Sequence, residues 1–223
     1  AGLRYLDVEY TSFTNFFADY EEYKIPLDLY YEVTAKLDVS AGYTYADRDI
    51  EAVVGPPARA AYSTQTHFYN VGLRGELLPK LNGFFKIGYR ERERDGFGDE
   101  GSLGIDSSLT WTTTPKLTNA FIFARDFGVA GDGQTTERTS FRVTSTYVIT
   151  DQYSVVGNLG YAFREHKTSN REDDQYDAGV TFRYTPNEYW TFSAGYTYSE
   201  NESTAANSSY ESNRLTVSAA LRY

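Results

Sequence analysis

Trp190-Thr191-Phe192-Ser193-Ala194-Gly195-Tyr196-Thr197-Tyr198-Ser199 decides the fold class. Trp190, Phe192, Ala194, Tyr196 and Tyr198 alternate with Thr191, Ser193, Gly195, Thr197 and Ser199. Successive side chains on a strand point to opposite faces, so this segment has one apolar and one polar face. The final segment repeats the pattern, with Leu215, Val217, Ala219, Leu221 and Tyr223 against Arg214, Thr216, Ser218, Ala220 and Arg222. It returns upstream in Tyr176, Ala178, Val180, Phe182, Tyr184, in Val155, Gly157, Leu159, Tyr161, Phe163, and in Leu37, Val39, Ala41, Tyr43, Tyr45.

Short turn signals divide these segments at a nearly fixed interval. They are Ala35-Lys36-Leu37, Leu78-Pro79-Lys80-Leu81, Thr114-Pro115-Lys116-Leu117, Thr150-Asp151-Gln152-Tyr153 and Thr185-Pro186-Asn187-Glu188. Proline donates no ladder hydrogen bond and suits a tight turn. Between the turns lie longer polar stretches such as Gly131-Asp132-Gly133-Gln134 and Asn201 to Ser209, which read as loops. Each repeat is therefore strand, long loop, strand, short turn. The alternation predicts twelve strands, at 2–11, 25–35, 37–47, 67–78, 81–92, 102–113, 117–127, 137–148, 153–165, 174–185, 189–200 and 209–223. Arg125 disturbs the apolar face of the seventh.

Two architectures accommodate such strands. In a sandwich the apolar face is the core; in a membrane barrel it meets lipid and the polar face lines the interior. Strands of this length cross a bilayer when tilted. Short connections at one end, longer loops at the other, and Tyr or Trp at the ends of apolar faces are barrel features. The reading is all-β: an antiparallel up-and-down transmembrane β-barrel of about 12 strands, in one domain spanning 1–223, whole or as the C-terminal part of a larger barrel. The composition is compatible. Of 223 residues 21 are Tyr, none is Cys or Met, and only His67 and His166 are histidines. No disulfide or thiolate site can form. A mean hydropathy of −0.53 looks like that of a soluble chain, but a transmembrane β-barrel also hides its apolar band by alternation. A chain without Met that opens on Ala1 fits removal of a secretory signal, and a fragment would look the same. A net charge of −10 argues against a nucleic-acid partner.

The C-terminal third carries Arg171-Glu172-Asp173-Asp174-Gln175-Tyr176-Asp177-Ala178-Gly179, then Tyr184-Thr185-Pro186, Tyr210-Glu211-Ser212-Asn213-Arg214 and Leu221-Arg222-Tyr223. Over about residues 140–223 it resembles the end of the putative β-barrel porin family associated with exopolysaccharide secretion. The resemblance implies a Gram-negative outer-membrane barrel, with outer-membrane lipid and lipopolysaccharide around it. The terminal aromatic resembles the signal read by the barrel assembly machinery. An envelope protein partner is a further expectation. The motifs are turn and girdle residues, so they bear on architecture more than on solute.

No catalytic constellation, cofactor site or metal site stands out, and an enzyme is not expected. His67 is placed at the opening of a strand near the rim and His166 in a loop, both solvated. The acidic pairs Glu21-Glu22, Asp99-Glu100 and Asp173-Asp174 are placed in loops. The stretches Asp95 to Gly101 and Gly131-Asp132-Gly133 are weak calcium candidates without EF-hand spacing. Charges on the polar faces are more informative. Arg90, Arg92 and Arg94 share one face, and Glu91, Glu93 and Asp95 the other. The pore-lining candidates are Asp28, Glu32, Asp38, Arg74, Lys86, Arg90, Arg92, Arg142, Arg164, Arg183, Arg214 and Arg222, with Asp7 and Glu9 in an early acidic arc. An acidic arc facing a basic one makes a field across a pore; a salt-bridged plug would use the same residues. The expected function is a porin-like channel for small polar or charged solutes, saccharides among them, with Tyr30 as a stacking surface. The alternative is a plugged structural or partner-binding barrel in an envelope complex such as polysaccharide export. Its working surfaces would be loops 12–24 and 48–66, the latter carrying Val53-Val54-Gly55-Pro56-Pro57.

Overall fold

The computed structural model describes all residues except 13–14, 56–57, 95–97, 131–133, 168 and 223. Its strands are β1 (Arg4–Val8), β2 (Tyr20–Thr34), β3 (Leu37–Ile50), β4 (Tyr62–Leu78), β5 (Leu81–Arg94), β6 (Glu100–Thr114), β7 (Leu117–Val129), β8 (Thr135–Val148), β9 (Tyr153–His166), β10 (Glu172–Tyr184), β11 (Trp190–Ser203) and β12 (Tyr210–Leu221). They form one antiparallel sheet in sequence order, the order of an up-and-down barrel. Among the described residues no ladder joins β12 to β1.

All twelve expected strands are present, and their ends differ from the expected ones. β2 begins at Tyr20 rather than 25 and β4 at Tyr62 rather than 67, while β1 stops at Val8. The polar residues 20–24 read as loop, yet Tyr20 pairs with Ile50 and Lys24 with Ala46. Ladder hydrogen bonds carry the strands past the apolar band, where charged side chains are solvated on an extended backbone. Glu21-Glu22 and Asp173-Asp174 therefore lie within strands, and Glu100 opens one.

At the other end three hairpins close on two-residue turns. Each is preceded by a register irregularity, at Glu32/Thr34, Glu76/Leu78 and Thr112/Thr114. Such a bulge raises local twist and turns the strand into the corner. Lys80 takes a positive φ of 66° in the second turn. Gly83, at φ 144°, packs so closely on β6 that a Cβ there would lie 2.0 Å from the Ser108 carbonyl oxygen.

The ladder fixes the faces. Tyr161 pairs with Tyr176 and Tyr153 with Tyr184, while Leu159 pairs with Ala178 between them. Large apolar side chains on this face are exposed: Leu29 is 80%, Leu159 64% and Leu215 78% accessible. A sandwich would bury that face, so the apolar side is the outside. Aromatic clusters mark two levels. Near the short turns, Tyr153 stacks on Tyr184, and Trp190 on Phe192. Eight residues on, Tyr161 meets Tyr176 and Tyr43 meets Tyr69. Eight residues of strand rise about 26 Å, or roughly 20 Å along the normal at the tilt usual for such barrels. That is the height of an apolar membrane band.

The opposite face is concave. Lys86 on β5 reaches Asp28 on β2, three strands away, and Arg90 reaches Asp126 on β7, two strands away. At the loop end, Ala18, Ile50 and Val53 form a buried apolar cluster, with Tyr20, Tyr62 and Val129 packed against it. Loop 9–19 is tied to this cluster by Glu51 N–H donating to the Asp19 carbonyl at 2.9 Å. The apolar stretch after Ile50 is thus divided: Val53 is buried and Val54 is 78% exposed. Pro56 and Pro57 lie outside the described residues.

Candidate functional site

Polar residues at every second position put the charged side chains of β2 to β7 on the concave wall, where they pair. Lys86 Nζ lies 2.7 Å from Asp28 Oδ1, Arg74 2.6 Å from Asp38, Arg90 2.8 Å from Asp126 and Arg92 2.5 Å from Glu100. Arg48 pairs with Glu22 at the loop end. Arg90 is 5% exposed and its guanidinium sits 3.9 Å over the Phe68 ring. Gly104 makes room for both: a Cβ there would lie 2.4 Å from Phe68 Cε2 and 2.9 Å from Arg90 Nε. A cavity of about 360 Å3 borders Lys86 and the Arg90–Asp126 pair, lined also by Arg4, Lys24, Thr44 and Asp106 among others.

The wall from β8 to β12 is different. Arg138, Arg142, Arg164, Arg183 and Arg214 lie on the same face by register. Asp173 is the carboxylate of that face most fully engaged, with Arg171 Nε at 2.9 Å and His166 Nε2 at 3.0 Å. Asp177 accepts from Ser199 at 2.7 Å. Arg183, Arg214 and Arg222 are exposed. Glu32, also exposed, stands opposite Asp38 in the ladder.

The register places Asp28, Glu32, Asp38, Arg74, Lys86, Arg90, Arg92, Arg142, Arg164, Arg183 and Arg214 on the concave side, and Arg222 follows β12 in the same phase. Asp7 is a correction. It pairs with Glu21, one residue out of phase with Arg4 and Lys24, and so stands on the outer face with Tyr5 and Tyr23. Glu9 lies past the end of β1. The loop between β1 and β2 sets that phase, and no period within 2–11 reveals it. Asp95 falls outside the described residues. Tyr30 is covered on one side, with the Arg74 guanidinium 3.7 Å over its ring. Arg48 lies one residue beyond the expected end of the third strand at 47 and so escapes sequence reasoning. Arg138 escapes it too, although stepping back by twos from Arg142 reaches that residue.

The histidines also need correction. His166 ends β9 and is 2% exposed, because its pairing with Asp173 draws it under the rim. His67 is the sixth residue of β4, set among Tyr43, Tyr45 and Tyr69 on the outer face, with Tyr43 Oη 2.8 Å from its Nδ1. Just beyond His166, Lys167 bridges Glu137 at 2.9 Å and Glu165 at 3.0 Å. Burial lowers its pKa, but the hydrogen bonds it donates to the two carboxylates outweigh burial and hold the ammonium above its ordinary value. At the opposite end Lys36 is raised by its hydrogen bond to Glu76. Among the described residues no group of three His, Cys, Asp or Glu side chains could hold a metal ion. Gly131-Asp132-Gly133 and residues 95–97 lie outside them.

A family model described as Putative beta-barrel porin 2 matches residues 4–223. No curated protein matches the chain. Among solved structures, the FrpB iron transporter from Neisseria meningitidis is similar with a TM-score of 0.64 and 8% identity, over 92% of this chain and 41% of that one. The outer membrane channel DcaP of Acinetobacter baumannii is similar with a TM-score of 0.53 and 10% identity, over 97% of this chain and 67% of that one. The chain thus spans less than half the length of the iron transporter. These likenesses concern the fold: an all-β, antiparallel outer-membrane barrel architecture.

Proposed function

From the premise that this chain belongs to the Putative beta-barrel porin 2 family, an outer-membrane β-barrel family of channels, we propose that its concave wall lines an aqueous passage for small polar or charged solutes. One observation carries the reading. The face turned away from the lipid band is polar along its length and keeps open space, including the cavity of about 360 Å3 between β1 and β7. The working residues are the inward arginines, Lys86 and the inward carboxylates, which act by electrostatics without covalent chemistry. Saccharides are the finer solute class of this proposal. Lipopolysaccharide contacts the outer face, and the assembly machinery engages the C-terminal strand. The test is single-channel recording of refolded protein in planar bilayers at two salt concentrations. Steady ohmic conductance with ion selectivity is expected. Silence from protein shown to be folded and inserted overturns the reading.

A second reading has its own observation. The apolar cluster of Ala18, Ile50 and Val53 reaches Val129 on β7 and so spans the loop-end mouth of the β2–β7 half. Paired charges fill the wall beneath it. A barrel closed in this way would serve as a scaffold in an envelope complex, polysaccharide export being one such setting. Replacing Val53 with Asp places a charge in the cluster. If the mouth is closed by it, conductance rises in the variant; if not, conductance is unchanged.

A further inference from the structure

The two halves of the inner wall balance their cations differently. From β2 to β7, Arg48, Arg74, Lys86, Arg90 and Arg92 each meet a carboxylate. On β8 and β9, the side chains of Arg138, Arg142 and Arg164 form no ion pair or hydrogen bond with any described residue. Arg138 and Arg164 are direct partners across the ladder. Like charges in directly opposed positions destabilise a sheet. Arg142 lies four residues deeper on the same face, about 13 Å along the strand. Arg138 and Arg142 together line a cavity of about 110 Å3. The Nε of Arg138 is buried and has no hydrogen-bond partner among the described residues, and Arg142, Arg164 and Asp177 are within Coulombic reach of its guanidinium.

Asp177 also borders the cavity, and each of its oxygens already accepts one hydrogen bond, Oδ1 from Ser199 at 2.7 Å and Oδ2 from Gln175 at 3.3 Å. Across the ladder Asp126 faces Arg138 and Asp173 faces Arg164, but Asp126 is paired with Arg90 and Asp173 with Arg171 and His166, so five guanidiniums beside three carboxylates leave an excess of positive charge. A buried donor without a partner and an opposed pair of cations are both costly. An oxyanion between them would remove both costs together. The planar guanidinium fork matches the oxygens of phosphate and carboxylate groups and holds them by charge-assisted hydrogen bonds.

Resting on the reading that this wall lines a passage, we propose that Arg138, Arg142 and Arg164 form a binding station for the oxyanion group, phosphate or carboxylate, of a solute moving along β8 and β9. The station lies on the face opposite the aromatic girdles, so its ligand is a solute and not a lipid headgroup.

The test is calorimetric titration of the folded protein in lipopolysaccharide-free detergent, with inorganic phosphate in one series and citrate in another. Saturable binding of one or both is expected. Replacing one arginine by Gln should weaken it roughly tenfold or more, the worth of a charge-assisted hydrogen bond. The triple variant should bind neither ion. Lys116→Gln, at a short turn far from the station, should bind as the parent does. Arg142 is exposed, so Arg142→Gln keeps the test decisive if Arg138→Gln does not fold. A folded parent protein that binds neither ion overturns the proposal, as do folded arginine variants that bind like the parent. Bilayer recording separates this result from the passage itself. Arginine-dependent binding by a silent barrel keeps the station and removes the passage. Conductance without arginine-dependent binding does the reverse.

Discussion

Asp28 and Lys86 stand three strands apart in the ladder, yet their side chains meet at 2.7 Å and both are about 15% exposed. A pair so placed holds the curl of the sheet as well as neutralising two charges. Removing one partner leaves the other poorly solvated. Asp28→Asn should therefore lower stability by about 1–3 kcal/mol. Asp28→Asn combined with Lys86→Met should cost less than the two single changes summed. Urea titrations of protein folded into vesicles measure both, and simple additivity would remove the pair from the account. Lys167 makes a prediction about pH. Its folded pKa is raised above the ordinary lysine value of 10.5. A raised pKa contributes stability that is fully present below the unfolded value and is lost as pH rises through the folded one. The contacts of Lys167 with Glu137 and Glu165 should therefore hold from about pH 6 to about pH 9 and loosen only above the ordinary lysine value. Amide exchange around residues 165–167 at several pH values checks this, and loosening near neutrality would contradict it. His166 shows why single residues were hard to read: its burial depends on Asp173 and Arg171, which the next strand brings to it.

At the scale of elements, the hairpins were the most legible feature of the chain. Turn signals at Lys36, Lys80 and Lys116 mark corners that the structure also has, because Pro and Lys-Leu punctuation acts locally. The loop-side ends were not legible. There the strands continue on ladder hydrogen bonds after the apolar alternation has stopped, as from Tyr20 to Lys24. The phase of β1 was hidden for a related reason, since a long connection can close with either register. Gly83 is where an element depends on one residue. Its φ of 144° and the 2.0 Å approach to the Ser108 oxygen exclude a side chain. Gly83→Ala should cost about 1–3 kcal/mol and loosen β5 against β6. Gly157 has nothing within 4 Å of its would-be Cβ, so Gly157→Ala should be neutral within about 0.5 kcal/mol. Equal effects of the two changes would show that the close approach at Gly83 does not matter.

Over the whole molecule, the sheet reverses the usual arrangement of a soluble domain. Few large apolar residues are buried, and the buried polar set includes Arg90, Arg92, His166 and Asp173. The alternation in the sequence identified the two faces, and the inner register of the twelve pore-lining candidates followed from it. The pairing of those residues was beyond reach. Whether Asp126 pairs with Arg90 or with Arg138, its neighbour in the ladder, depends on curvature and on contacts between strands that are distant in sequence. The two faces now make opposite predictions at adjacent residues. Val180 lies midway between the girdle residues Tyr176 and Tyr184 and is 49% exposed on the outer face. Thr181, the next residue, points to the inner wall opposite Gly195. An arginine at the bilayer midplane of a barrel costs about 2–4 kcal/mol, whereas interior substitutions mainly alter selectivity. Val180→Arg should lower folding stability in vesicles by that amount. Thr181→Arg should change it by less than about 1 kcal/mol and shift ion selectivity toward anions if the passage conducts. Equilibrium unfolding of the two variants settles which face meets lipid, and a reversed order of costs would turn the barrel inside out.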